Sequence, residues 1–157
     1  MAFGSGFQNE IGKVGAGEII GDVGIVSSYN TFETGLIGGR FAKYNSATDG
    51  VELVDASSSP TIAGIVKREI MGAIEDAGTY NPENNIYADV VEGSSLVTVD
   101  VVAGLTIAKF DQVYVYNLVT VAGDQGKATN LTTAGNVLVD GYFYEEISAN
   151  VWSVRLK

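Results

Sequence analysis

Val97-Thr98-Val99-Asp100-Val101 places valine at every second position, with Thr98 and Asp100 between. Successive side chains of a β-strand point to opposite faces, so this run offers an apolar face to a core and a polar face away from it. Trp152, Val154 and Leu156, opposed by Ser153 and Arg155, repeat the alternation near the C-terminus. From Arg40 onward, short apolar runs over 40–44, 51–54, 61–66, 86–91, 96–102, 112–116, 137–144 and 151–156 predict strands, and 105–108 and 118–121 are candidates for shorter pieces. Between them lie Asp49-Gly50, Ser57-Ser58-Ser59-Pro60, Gly78, Glu92-Gly93, Ala103-Gly104, Gly123-Asp124-Gln125-Gly126, Gly135-Asn136 and Ala149-Asn150, residues whose backbones and short polar side chains suit turns. Strands at this spacing predict an all-β fold, a small β-barrel or a jelly-roll-like sandwich. One helical period, Val66, Ile70, Ile74 and Ala77, predicts at most one short helix over 67–77, opposed by Gly72. Residues 80–85, with Pro82, read as a loop, and no repeat is visible.

Residues 1–39 differ from the rest. Glycine recurs at 4, 6, 12, 15, 17, 21, 24, 35, 38 and 39 among scattered large apolar residues. Glycine at that density is costly to order in regular structure, so 1–39 reads as an extended arm or irregular lead-in, with 40–157 as the β-domain. Phe3, Phe7 and Ile11 have no periodic face of their own to bury them, which marks them as contacts for another protein surface; a mobile tail is the alternative.

The 157 residues suit one domain, and at 46% hydrophobic and 18% charged the chain is expected to fold around a core. Nine Lys and Arg stand against 19 Asp and Glu, a net charge of −10 that repels phosphate backbones and anionic lipid, so neither nucleic acid nor a membrane is an expected partner. Cysteine and histidine are absent, which removes disulfides, thiolate metal sites, the commonest general base and the Ser-His and Cys-His pairs. Without histidine, partner binding is expected to change little between about pH 6 and 8. Met1-Ala2-Phe3-Gly4-Ser5-Gly6 has no basic and apolar leader character, and no run reaches the roughly 18 apolar residues of a span, so the expectation is a soluble protein made in the cytoplasm. The sequon Asn130-Leu131-Thr132 lacks a secretory context.

No chemistry-bearing constellation stands out. Gly15-Ala16-Gly17-Glu18-Ile19-Ile20-Gly21 approaches a phosphate-cradling loop, but its last glycine is one residue late and Glu18 opposes phosphate. Glu145-Glu146 and Glu75-Asp76 are adjacent carboxylates, and neighbours on a strand face opposite ways. Asp111, Asp124 and Asp140 lie at expected turns or strand ends, without a calcium-loop pattern. Lys67-Arg68 reads as exposed charge. Tyr114 with Tyr116, and Tyr142 with Tyr144, are spaced i and i+2 and so form aromatic stripes that serve as core, sugar platform or protein interface. The reading is a non-enzymatic chain with no cofactor and no metal.

The order of motifs carries one further signal. Ile62-Ala63-Gly64-Ile65-Val66, Val97-Thr98-Val99-Asp100-Val101, Phe110-Asp111-Gln112-Val113-Tyr114-Val115, Gly141-Tyr142-Phe143-Tyr144 and Trp152-Ser153-Val154-Arg155-Leu156 together resemble the phage structural cement and head decoration families. The front is similar too, with Phe7-Gln8-Asn9, Val14-Gly15-Ala16-Gly17-Glu18 and Gly39-Arg40-Phe41-Ala42. Those relatives tend to carry Gly-Asp where this chain has Phe110-Asp111. The resemblance implies a virion protein that self-associates as a homodimer or homotrimer, sits on the outer surface of the capsid and clamps major capsid protein subunits; on that reading the arm residues Phe3, Phe7 and Ile11, singled out above by their lack of a face to bury them, are expected to contact capsid or sister subunits. It implies no catalytic residues. A carbohydrate-binding β-sandwich module, with Tyr and Trp152 as platform, is the competing reading.

Overall fold

The computed structural model describes residues 16–21, 24–31, 36–47, 49–55, 60–67, 86–118, 120–121 and 123–157. Among them the chain is all β. Strands β1 (Ile25–Thr31), β2 (Phe41–Asn45), β3 (Gly50–Leu53), β4 (Ile62–Val66) and β5 (Ile86–Gly93) close into a barrel in the order β1-β3-β2-β4-β5. Antiparallel pairing of β1 with β5 runs from Ile25 opposite Gly93 to Thr31 opposite Ile86, and one parallel pair, Asn30 with Gly50, completes the ring. Strands β6 (Leu96–Asp100), β7 (Gln112–Val115), β8 (Ala128–Thr129), β9 (Val137–Ser148) and β10 (Val151–Leu156) form a second sheet in the order β6-β10-β9-β7-β8.

β10 coincides with its expected range, and the other expected strands shift by one to four residues at their ends. β9 continues to Ser148 because Glu145 and Glu146, exposed and polar, still pair with Ser153 and Trp152. Neither 105–108 nor 118–121 forms a strand among the described residues. Helix is also absent among the described residues; of the expected helix only Lys67 is described, and it extends from β4 with its N–H donating to the Asp89 carbonyl.

β1 lies inside the stretch expected to be irregular. Its sequence, IVSSYNT, shows no apolar alternation, and what makes it a strand is residue-by-residue pairing with β5. Gly24 is needed there for close approach rather than looseness: a Cβ on it would lie 2.0 Å from the Gly93 carbonyl oxygen.

Two clusters of described residues fill the interior. Leu36, Ala42, Val51, Ala63, Val66, Ala88 and Val90 pack inside the barrel, where a five-stranded ring leaves room for small side chains. The outer wall of the barrel supplies Phe41, Ile65 and Val91 to a larger cluster with Val97, Val99, Val101, Val113, Val115, Phe143, Val154 and Leu156 of the second sheet. The valine face of residues 97–101 therefore points where the sequence places it, and β4 is buried on both faces because it faces the barrel interior and the sheet at once.

Candidate functional site

Among the described residues, the structure disperses those weighed for a reactive centre. Asp111 Oδ2 accepts from the Ala108 N–H at 2.9 Å and from Asn130 Nδ2 at 2.8 Å, and these bonds hold its pKa below the ordinary carboxylate range. Asp124 pairs with Lys127 at 2.7 Å, and Asp140 with Lys157 at 3.7 Å, so the three aspartates considered for calcium each have a different partner. Glu145 lies opposite Ser153 and Glu146 opposite Trp152, on opposite faces of the sheet. Lys67 lies 3.8 Å from Asp89. Glu75, Asp76 and Arg68 lie outside the described residues, as do Phe3, Phe7 and Ile11. Asn130, the sequon residue, spends its amide on the Thr106 carbonyl at 2.9 Å and on Asp111, which a glycan there would disrupt.

The glycine-rich segment over 16–21 is a strap. Gly17 N–H donates to the Thr98 carbonyl at 2.7 Å, Ile20 N–H to the Leu96 carbonyl at 2.9 Å, and Thr98 N–H to the Glu18 carbonyl at 2.9 Å. These amides serve the β6 edge, so they are not aimed at a phosphate, and they cover an edge that would otherwise invite pairing with another chain.

An ion-pair group ties the two sheets together. Arg40, entering β2, lies 3.5 Å from Asp100 at the end of β6, and donates to the Gly123 carbonyl at 2.6 Å. Burial pushes the Asp100 carboxyl above its ordinary pKa, and the charges of Arg40 and Lys127 only partly offset that. Beside it the Phe41 N–H donates to the Gly126 carbonyl at 2.7 Å; a Cβ on Gly126, at φ 80°, would lie 2.8 Å from the Phe41 oxygen. On the barrel, Lys43 is buried against Glu52 at 3.1 Å and Asp55 at 2.6 Å; burial opposes its charge, yet the hydrogen bonds prevail and its pKa is raised. Tyr29 donates to Glu92 and meets Tyr44, hydroxyl to hydroxyl, at 3.0 Å; the Glu92 bond chiefly keeps its phenol protonated.

The outward face of the second sheet is different in kind. Phe143 points inward, wholly buried, with Trp152 edge-on at 5.8 Å, so Tyr142 and Tyr144 on either side of it point outward. Tyr116 is core, whereas Tyr114 is half-exposed beside Leu138, which is 62% exposed. The aromatic stripes are thus split between core and surface, and Trp152 lies with Phe143 on the core side, across the sheet from Tyr142 and Tyr144, so these rings do not share the one platform that the competing carbohydrate reading requires.

Phe110 completes this face, 65% exposed and 5.4 Å from the Tyr142 ring. Its φ is 76°, in the left-handed region where a bulky residue costs about 1–2 kcal/mol and glycine sits freely. Its backbone is nonetheless over-determined: Phe110 N–H donates to the Phe143 carbonyl at 2.7 Å, Phe143 N–H returns to the Asp111 carbonyl at 2.9 Å, and the Asp111 side chain pins the preceding turn. Lys109 holds its ammonium 4.0 Å from the Tyr144 ring centre and 5.3 Å from that of Phe110. Sequence reasoning picked out Tyr142 and Tyr144 by spacing but missed Lys109, and it noted Phe110 only as a residue standing where a glycine was expected.

Comparison with known proteins locates this architecture. A family model described as XM1 gp53 minor capsid protein matches residues 6–157. A chain in the solved capsid of Myoviridae phage XM1 superposes with a TM-score of 0.80 at 37% identity, over 99% of this chain and 97% of that one. None of the curated proteins matches the sequence.

Proposed function

The chain belongs to the XM1 gp53 minor capsid protein family, and from that premise we propose that it is a cement or decoration protein that binds the outer surface of an assembled phage head. It clamps neighbouring major capsid protein subunits, associates with itself as a dimer or trimer, and acts by binding rather than turnover. It is made in the host cytoplasm and joins the virion there. The observation that carries this reading is the likeness, over nearly the whole length of both chains, to a chain of a phage capsid. The described surface agrees with it, because Asp111, Asp124 and Asp140 are held by separate partners while an aromatic face is left exposed. Binding to the assembled shell and not to dispersed subunits stabilises the shell by mass action.

The test uses heads assembled without this protein. Adding the purified chain is expected to raise their melting temperature and to place density on their outer surface at saturating occupancy. Unchanged melting with no bound density rules the reading out. Within the same reading, Phe3, Phe7 and Ile11 are contacts with capsid or sister subunits. Each apolar side chain buried there is worth about 1.5–3 kcal/mol, so deleting residues 1–11 should leave the β-domain folded and weaken attachment. Equal affinity of the truncated and full chains would make that segment a passive tail.

A further inference from the structure

We infer that the face formed by Phe110, Tyr142 and Tyr144 with Lys109 is the surface that docks on a capsid-shell subunit, at a place where that subunit presents a carboxylate beside an apolar side chain. This rests on the capsid-binding reading above and names the contact. Three observations converge on it. Phe110 occupies a backbone conformation suited to glycine and is held there by its own N–H bond to the Phe143 carbonyl and by the Phe143 N–H bond to the adjoining Asp111 carbonyl, so the fold accepts strain where it displays a large ring to solvent. The ring is contiguous with Tyr142, and Leu138 lies further along the same strand face. Exposed, rigidly held aromatic groups are the usual anchors of protein interfaces.

Charge identifies the occupant. The chain carries 19 acidic and 9 basic residues, and Arg40, Lys43, Lys67, Lys127 and Lys157 each lie within salt-bridge reach of a carboxylate of the same chain. Lys109 instead rests on two aromatic rings at the exposed face. A lysine placed on rings in so acidic a protein is matched by a carboxylate from outside, and the rings beside it require an apolar neighbour to that carboxylate.

The experiment measures binding of the full chain to heads assembled without it, alongside thermal unfolding and sedimentation of the free protein. Phe110→Gly relieves the strain, so it should unfold within about 5 °C of wild type yet lose tenfold or more in affinity. Phe110→Ala, which keeps the strain and removes the ring, should lose as much. Lys109→Glu should lose affinity most at low salt, and the loss should shrink as salt rises. Retention of wild-type affinity by Phe110→Gly overturns the inference and leaves capsid binding standing. If that variant binds heads normally but no longer self-associates, the face is a contact between copies, which also overturns it. Failure of the wild-type chain itself to bind heads overturns the functional reading, and this inference with it.

Discussion

The barrel and the open sheet solve the same problem with opposite means. The barrel has no free edges and fills its interior with Ala42, Ala63 and Ala88 among Leu36, Val51, Val66 and Val90. The second sheet keeps two edges, covering one with the strap over 16–21 and ending the other in the two-residue β8. Its core face is built from larger groups, Phe143 and a row of valines, and its other face, with the turn before β7, exposes Phe110 and Leu138. Closure leaves a narrow interior for small side chains, whereas an open sheet retains a face free to bind. The two units share the cluster around Phe41, Ile65 and Phe143 and so should not melt independently.

The largest expected effect tests that sharing. Phe143→Ala should cost about 3–5 kcal/mol, because it empties a site wholly buried in the joint cluster. Against a typical total of about 5–15 kcal/mol, such a loss lowers the urea midpoint sharply. The barrel and sheet should still unfold in one transition, followed by far-UV circular dichroism and by the fluorescence of Trp152, which packs on Phe143. Two transitions would show that the units are separately stable.

Next in size is overpacking of the barrel. Ala88→Leu should cost about 1–3 kcal/mol, since the added atoms enter a ring with little free volume. A neutral result would mean that the barrel interior is looser than its alanines imply. Smaller again, Phe110→Gly should be more stable than Phe110→Ala by about 1 kcal/mol, because both lose the ring but only glycine relieves the positive φ. Equal midpoints in urea for these two variants would remove the strain argument.

The smallest effect lies in pH dependence. Asp100 holds its proton more tightly folded than unfolded, so its ionisation opposes folding. Its contribution therefore improves as pH falls from neutral through the folded pKa toward 3.8. Asp111 is shifted the other way: its contribution is present above 3.8 and is lost as pH falls through its lower folded value. The stability of wild type minus that of Asp100→Asn should accordingly rise on acidification, and the difference from Asp111→Asn should fall. Slopes of the same sign in melting temperature against pH would contradict this assignment.

Alternation and turn chemistry are local properties, and they were enough to read the all-β class and most strands from the sequence, β10 to the residue. Val97, Val99 and Val101 point inward because a half-buried strand of any sheet must bury its apolar side. Local pattern failed where tertiary contacts override it: β1 has no apolar period and is a strand only through β5, and its glycine neighbour serves close approach to Gly93. Composition and missing residue types also set the broad character of the surface, acidic and without histidine or cysteine chemistry. Which tyrosines are core and which are surface was decided by the fold alone. Tyr116 is buried and Tyr142 exposed to solvent on one side because spacing defines a face but cannot say which face another sheet will cover. Phe110 and Lys109 meet Tyr142 and Tyr144 only because the turn before β7 is bonded to the middle of β9, a contact between segments more than thirty residues apart that no local pattern encodes.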